Sequence, residues 1–293
     1  MSPGTGKPYR LVMICEVWKV PRSTVYAVRE RGLDPEPTVP AKRGPKTKLS
    51  DAELVERIRA VLKESDFLGE GHRKVRARLR TKGIWVGKAR TLRVMREHGL
   101  LAPVRQGHPR GDRSHSGTIV TDGPNELWGT DATRFYTKQD GWCWFFGAVD
   151  HCSTDVVGWH VAQKGDRWAA LEPIRQGVVA HIGAYEKGVA LGLGLRHDWG
   201  PQYTAHQFQG ELRWLGIRST PSYVGEPECN GVAERFMRTL KEQCLYLHDF
   251  DSLEEARGAI AGFIERYNRG WLLERHGHKT PAQVRQELAP RVA

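Results

Sequence analysis

The chain has 293 residues, 39% of them hydrophobic and 27% charged, and a formal net charge of +11. This balance excludes a disordered or collagen-like protein and favours two or three folded domains. No apolar run reaches membrane-spanning length and the N-terminus is too polar for a secretory signal, so we expect a cytoplasmic protein. Five scattered cysteines without a CxxC pair are typical of reduced core thiols.

Positive charge is concentrated in the first part of the chain. Residues 1–120 carry 26 basic and 12 acidic side chains, whereas residues 121–293 carry 19 and 22. Because Lys and Arg neutralise phosphates, this asymmetry favours a nucleic-acid-holding region joined to a region with another role. The alternative is an ordinary solvated basic surface, which a surplus confined to one whole region makes the weaker interpretation.

Residues 1–49 are predicted to form a short helical segment and a basic linker. Apolar residues between positions 11 and 17 suggest one helix, and Pro21 with Ser23 opens a second. The stretch that follows is rich in Pro, Gly and Lys, which is typical of an extended linker.

Three helices of helix-turn-helix proportions are predicted in residues 50–102. Ser50 and Glu53 offer a capping box for the first helix, and basic amphipathic helices over His72–Lys82 and Lys88–His98 follow. The last helix would enter a DNA groove and present four basic side chains there: Lys88, Arg90, Arg93 and Arg96. A purely structural three-helix bundle is the alternative, because basic amphipathic helices also occur on ordinary surfaces.

The rest of the chain is predicted to be a linker, 103–124, and an α/β domain with a C-terminal helical tail, 125–288. The predicted strands are 127–136, 142–150, 156–163, 189–196 and 217–222. The predicted helices are 167–181, 204–215, 230–247 and 252–268. This order is typical of a ribonuclease-H-like core, a mixed five-stranded sheet with flanking helices.

Three acidic residues in this domain stand where a carboxylate has no local partner. Asp131 lies in the first predicted strand among apolar and β-branched residues, Asp198 follows the apolar run VALGLGLR, and Glu234 lies in the first turns of a helix that Asn230 can cap. Burying an unpaired carboxylate is costly, so a metal ion is a natural compensation. Each acid alone is more often a surface charge or a helix cap, but their joint context favours a site.

Carboxylate oxygens suit Mg²⁺ or Mn²⁺, and a pair of such ions would stabilise the attacking and leaving oxygens of an in-line phosphoryl displacement. Arg238 and Lys241 lie four and seven residues after Glu234 and share its helix face. We expect these cations to hold a phosphate backbone beside the acids.

Several longer stretches resemble a known family. The integrase core of DDE transposases is similar to WGTDAT, RHDWGPQYTAHQFQGELRWLGI and PSYVGEPECNGVAERFMRTLKEQ, and 35 residues separate Asp198 from Glu234, the spacing of that family. The chain more closely resembles the catalytic-frame (OrfB) proteins of bacterial insertion sequences. Their helix-turn-helix resembles GHRKVRARLRTKGIWVGKARTLRVMREHGLLAPV, and their C-terminal tail resembles FIERYNRGWLLERHGHKTPAQV.

The resemblance implies a DNA transposase. Asp131, Asp198 and Glu234 would be the catalytic, metal-binding triad, and Asn230 would shape the preceding loop and lie with Arg238 and Lys241 against DNA. Strand cleavage at the element ends would be followed by attack of the 3′-hydroxyl on a target phosphodiester. The implied partners are double-stranded DNA, further copies of the chain on that DNA, and an upstream-frame helix-turn-helix protein or fusion.

Other interpretations remain open at this point. A non-catalytic DNA-binding relative and a structure-specific nuclease with the same core both fit much of the pattern. A structural zinc is disfavoured because no His/Cys pairing of the required kind occurs. Tryptophans are expected in the core, namely Trp142, Trp144, Trp159, Trp199 and Trp214, although an exposed Trp199 or Trp214 would be placed to stack on a base.

Overall fold

The chain divides into two compact units, residues 1–48 and 49–293. The computed structural model describes four stretches of it: residues 1–33, 49–103, 121–222 and 230–288. None of the helices in these stretches combines the length and the apolar character that crossing a membrane requires.

The first unit contains two helices, α1 (Leu11–Val17) and α2 (Arg22–Leu33). The turn between them includes Lys19 in the left-handed region, with φ 52°. This is the helix, turn and second helix that the sequence predicts, and Cys15 on α1 is buried.

The second unit begins with three helices: α3 (Asp51–Glu64), α4 (His72–Thr81) and α5 (Lys88–Glu97). The predicted capping box is confirmed, because the Ser50 hydroxyl accepts from the Glu53 N–H while the Glu53 carboxylate accepts from the Ser50 N–H. Apolar side chains from all three helices form one small core, among them Leu54, Leu79 and Met95.

A five-stranded mixed sheet follows, in the order β3-β2-β1-β4-β5. Its strands are β1 (Leu127–Thr137), β2 (Gly141–Asp150), β3 (Val156–Ala162), β4 (Gly194–His197) and β5 (Arg218–Pro221). The first three strands pair antiparallel, whereas β4 and β5 run parallel to β1. The predicted ribonuclease-H-like arrangement of strands and helices is confirmed.

Helices cover both faces of the sheet. They are α6 (Arg167–His181), α7 (Pro201–Thr204), α8 (His206–Leu215), α9 (Gly231–Gln243), α10 (Leu253–Gly270) and α11 (Pro281–Leu288). Successive residues of a strand point to opposite faces. Accordingly, Phe145 packs in one core with α9 and α10, and its neighbour Phe146 packs in another with α6 and α8.

The three-helix region packs against the second half of the unit. The guanidinium of Arg78 donates to the buried carboxylate of Glu70 and to the carbonyl of Gly270, and the Lys74 ammonium lies 2.9 Å from the Trp271 ring centroid. The Gln243 side chain forms two hydrogen bonds with the Leu68 backbone. Part of the basic face of α4 is therefore used for packing, and the separation of 50–102 from 125–288 as domains stays a prediction.

Three details differ from the sequence prediction. The strand predicted at 189–196 is wrong, because only Gly194–His197 is extended: Gly188 and Gly192 take positive φ, and Leu191 is 80% exposed. Trp142 is 61% exposed rather than buried, and Trp199 and Trp214 are also exposed. Most of the predicted linker 103–124 lies outside the described residues, as does Cys229; the other four cysteines are buried free thiols.

Candidate active site

The fold brings the three predicted acids to one edge of the sheet. Asp131 lies in the middle of β1, and Asp198 directly follows β4. Because β4 runs parallel to β1 and pairs with it, both strands lead toward the same edge. Glu234 lies in the first turn of α9, which packs against β1 and β2.

The carboxyl group of Asp131 has a strongly perturbed pKa. Its pKa is raised to about 6, chiefly by burial and further by the negative charges of Asp198 and Glu234. The hydrogen bond that its Oδ1 accepts from the Ala132 N–H, at 2.8 Å, and the positive charge of Lys241 oppose this rise. The three carboxylates therefore interact electrostatically, with Asp131 as the most deeply placed.

The position of Asp198 is fixed by its neighbours. His197 is buried, and its Nδ1–H donates to the Asp198 carbonyl at 2.7 Å while its Nε2 accepts from the Ser219 hydroxyl at 2.8 Å. Burial lowers the pKa of His197, which keeps the ring neutral and able to fill both roles. Asp198 Oδ1 accepts from the Gly200 N–H, so the carboxylate is held in a tight turn.

Trp199 extends this restraint to β5. Its indole N–H donates to the carbonyl of Ser222 at 2.7 Å, although its ring is 56% exposed. The sequence predicted burial for this tryptophan. The structure instead engages its indole N–H in a hydrogen bond and leaves the side chain exposed beside Asp198.

The donor set fits a divalent cation in its chemistry. The three carboxylates supply hard oxygen ligands, and the crowding of negative charge that raises the pKa of Asp131 is what a bound cation would relieve. Within the described residues, however, no three His, Cys, Asp or Glu side chains converge closely enough to hold a metal ion. The Asp198 and Glu234 side chains are both exposed.

Asn230 joins α9 to the strand that carries Asp131. Its side chain is buried, and its Nδ2 donates to the carbonyl of Thr130 at 3.0 Å. Asn230 was predicted to lie against DNA, whereas the structure places it inside the protein, where it sets the start of the Glu234 helix. Its other predicted role concerns the loop before Glu234, and residues 223–229 of that loop lie outside the described residues.

The Asn230 side chain can lie against β1 because residue 129 is a glycine. A Cβ at Gly129 would lie 2.6 Å from Asn230 Oδ1 and 3.0 Å from His151 Nε2. Both of these side-chain atoms are buried, and neither has a hydrogen-bond partner among the described residues. Gly129, two residues before Asp131, thus lets the α9 start and the β2–β3 turn come together over β1.

We expect Gly129→Ala to lower the free energy of unfolding by about 1–3 kcal/mol and to reduce strand cleavage, because the new methyl group displaces Asn230 and with it Glu234. Urea denaturation and a cleavage assay measure the two effects. Gly258→Ala is the matched control, since nothing lies within 4 Å of its added Cβ in the helix α10. Equal behaviour of the two variants would contradict this packing role.

Two further residues belong to the site's surroundings. The buried Tyr203 lies near Asp131 and Asp198, and their negative charges add to burial in raising its pKa well above the usual value. Sequence reasoning missed this tyrosine, although its position in WGPQY close behind Asp198 is a usable signal. Of the two cations predicted on α9, Lys241 acts electrostatically on Asp131, and Arg238 is exposed.

The predicted DNA-contacting residues of α5 differ in their surroundings. Lys88 is exposed at the first turn. Arg90 and Arg93 both bind the Asp51 carboxylate, at 2.7 and 2.6 Å, so the start of α3 holds their guanidinium groups. This ion pairing lowers the pKa of Asp51 to about 2. DNA contact by Arg90 or Arg93 stays a prediction, and it requires exchange of Asp51 for a phosphate or base.

Comparison with known proteins agrees with this architecture. Two family models described as "Integrase core domain" match residues 121–227 and 215–289, and one described as "HTH-like domain" matches residues 48–108. Together these matches cover the three-helix region, the sheet and the C-terminal helices.

Curated relatives come from insertion sequences of Escherichia coli. The chain is 26% identical over 232 residues to the putative transposase InsK of IS150 from strain K12, which covers 76% of this chain and 80% of the relative. It is 25% identical over 250 residues to the transposase InsD of IS2A/D/F/H/I/K, covering 82% and 80%. A cryo-electron microscopy structure of the simian T-cell lymphotropic virus intasome with the PP2A subunit B56 gamma aligns with 83% of this chain and 76% of its own, at 20% identity and a TM-score of 0.49. On the domain matches and the curated relatives, the chain is an insertion-sequence transposase of the integrase-core superfamily, with an HTH-like domain ahead of the core.

Proposed function

We propose that this transposase cleaves and joins DNA at the ends of an insertion sequence by metal-dependent phosphoryl transfer, with Asp131, Asp198 and Glu234 as its catalytic triad. One observation supports it most strongly: three carboxylates from separate elements act on one another at the carboxyl edge of an integrase core. This arrangement raises the energy of the metal-free site and so favours binding of a cation.

The three carboxylates would hold Mg²⁺ or Mn²⁺, most simply as a pair of ions. When bound, these ions supply positive charge at the attacking and leaving oxygens of the phosphodiester. The protein's own part is positional: His197 and Gly200 fix Asp198, and Asn230 fixes the helix of Glu234. None of these supporting groups needs to exchange a proton during the reaction.

The reaction joins two strands without a covalent enzyme intermediate. In strand transfer, the 3′-hydroxyl of the element end gives up its proton to water, and its oxygen forms a bond to the target phosphorus. The bond from that phosphorus to the 3′-oxygen of the target strand breaks, and the displaced oxygen takes up a proton. Arg238 and Lys241, on the same helix as Glu234, would hold the phosphate backbone beside the acids.

The HTH-like domain would bind the element ends, with the exposed Lys88 as the first of its α5 contacts. Because one reaction uses two ends, we propose that several copies of the chain assemble on DNA. An upstream-frame protein or fusion would add to end recognition in this assembly.

The test is an assay of the purified protein with labelled duplexes that carry the element's own ends. Nicked and joined products are resolved with Mg²⁺, with Mn²⁺ and with EDTA, for the wild type and for Asp198→Asn. We expect joining that depends on the metal and is lost in the variant. Joining retained by Asp198→Asn would refute the triad.

Two other outcomes separate the remaining interpretations. Nicking without joining, when a free 3′-hydroxyl end and a target duplex are both supplied, would identify a structure-specific nuclease. Binding without any cleavage by the wild type, even after an upstream-frame protein is added, would identify a repurposed DNA-binding protein.

A further inference from the structure

An exposed cluster of aromatic and basic side chains lies at the end of the β1–β2 hairpin, apart from the acids. Arg134 stands opposite Trp144, and Tyr136 stands opposite Trp142, two positions apart on the same face of the antiparallel pair. Tyr136 is 56% and Trp142 61% exposed, and their rings meet edge to face at 5.7 Å. We name these four residues the arginine–tryptophan surface.

Arg134 is the centre of this surface. Its guanidinium carbon lies 5.5 Å from the ring centroids of both Trp142 and Trp144, so two indoles contact one cation. In the described stretches, no hydrogen bond or ion pair connects Arg134 to an acidic side chain, unlike Arg78, Arg175 or Arg285. The rings hold the guanidinium in place, and no acidic side chain of the described stretches pairs with its charge.

The start of α6 continues the same surface. The ring of Trp144 covers Gly165, where a Cβ would lie 2.4 Å from the indole. Arg167 follows, with its guanidinium 5.5 Å from the ring of Trp168, which is 48% exposed. The Nε of Arg167 is buried and, within the described residues, has no hydrogen-bond partner. Arg167 and Trp168 are therefore a second pair of an arginine and an exposed indole, and they follow the glycine that Trp144 covers.

We propose that the arginine–tryptophan surface binds an unpaired DNA strand that passes the active site. Exposed indole and phenol rings stack on bases of any sequence once those bases are unpaired, and an arginine without a counter-ion offers its charge to the phosphates between them. Paired bases within a duplex do not present their faces in this way, so the ligand is a single strand.

The position of the surface suits this ligand. Arg134 comes three residues after Asp131 on β1, a distance of about 10 Å along the strand, and alternation places the two side chains on opposite faces of the sheet. A strand leaving the acids would thus meet the surface as it turns around the hairpin end. Trp and Arg are also common at protein interfaces, and a protein partner is the outcome that the test must separate.

The experiment measures binding of a short labelled oligothymidylate by fluorescence anisotropy, in EDTA and at low salt. The variants are Trp142→Ala and Arg134→Ala, and the matched control is Tyr246→Ala, another exposed aromatic residue of the same unit. We expect affinity for the oligothymidylate to fall about tenfold or more in the first two variants and less than about twofold in the control. Arg134→Lys should be intermediate, because it keeps the charge but not the planar group between the rings.

A blunt duplex carrying the element end serves as the second probe, and its affinity should change little in any of these variants. The choice of a DNA strand as the ligand rests on the proposed function. The binding assay, however, uses no metal and no cleavage, so its result does not depend on whether the triad assignment is correct. Unchanged oligothymidylate binding would overturn the proposal. Equal losses of affinity for both probes would also overturn it. A change of oligomeric state without a change in single-strand affinity would identify a protein interface instead.

Discussion

Asp131→Asn is expected to abolish strand cleavage and, at the same time, to stabilise the metal-free protein. Cleavage should fall by at least about 10³-fold, because the amide removes one anionic ligand from the site while leaving its shape intact. Asn keeps an oxygen that can accept from the Ala132 N–H, so the hydrogen bond seen at Asp131 need not be lost.

The gain in stability follows from the direction of the pKa shift. The pKa of Asp131 rises from 3.8 to about 6 on folding, so between these values the unfolded chain loses its proton first and the folded state becomes less favourable as pH increases. Above pH 6 the penalty is complete. After allowance for partial exposure, we estimate it at about 2 kcal/mol at neutral pH.

Thermal melts of the wild type and Asp131→Asn in EDTA measure this penalty. We expect the variant to melt roughly 4–8 °C higher at pH 7, and the two curves to coincide near pH 4. Adding Mg²⁺ should raise the melting temperature of the wild type but not that of the variant. Asp249→Asn, an exposed acid away from the site, is the control. A variant less stable than wild type at pH 7 would contradict the account.

Arg285→Leu is expected to destabilise the protein by about 3–5 kcal/mol, although Arg285 lies in the last helix and far from the acids in sequence. Its Nε binds Asp155 Oδ2 at 2.6 Å, its Nη1 donates to Asn125 Oδ1 at 2.9 Å, and its Nη2 lies 3.4 Å from Asp150 Oδ2. Both aspartates are almost fully buried, so removal of the guanidinium leaves two buried carboxylates without this ion pair.

The consequence extends to the active site through the β2–β3 turn. Asp150 and Asp155 bracket this turn, and Arg275 and His276 also bind its backbone carbonyls. His151, in the same turn, lies beside Gly129 and Asn230. The C-terminal tail thus holds the turn next to β1, the strand that carries Asp131. Loss of the Arg285 contacts should make this turn less firmly held.

Urea denaturation of Arg285→Leu and Arg269→Leu tests this role. Arg269 is also an arginine of the C-terminal helices, but its pair with Glu265 is exposed, and we expect its replacement to cost less than about 1 kcal/mol. Adding Asp155→Asn to Arg285→Leu should restore part of the lost stability. Equal, small effects of the two arginine variants would show that the buried pair does not stabilise the fold.

Local sequence signals predict much of the fold. The capping box of Ser50 fixes the start of α3, and the helix predicted at 167–181 matches α6. The order of strands and helices predicts the sheet, because parallel crossovers allow few alternatives. The three acids follow from their positions at strand and helix ends together with the family resemblance.

Contacts between distant residues account for what the sequence did not predict. Arg90 and Asp51 are 39 residues apart in the sequence. No local pattern predicts that Arg90, which was expected to contact DNA, is bound by Asp51. Trp142 is the second residue of β2, close to the hairpin turn, and whether it is buried there depends on tertiary packing that a strand pattern does not reveal. In 189–196, an apolar run that predicts a strand instead packs as a turn, because glycines allow positive φ there.

The most direct test of the central claim is binding of Mn²⁺ to the complex of the protein with an end duplex, followed by electron paramagnetic resonance and competed with Mg²⁺. Asp131→Asn, Asp198→Asn and Glu234→Gln should each weaken Mn²⁺ binding by about tenfold or more, and Asp249→Asn should leave it unchanged. Mn²⁺ affinity that survives all three substitutions would contradict a metal site built from these carboxylates.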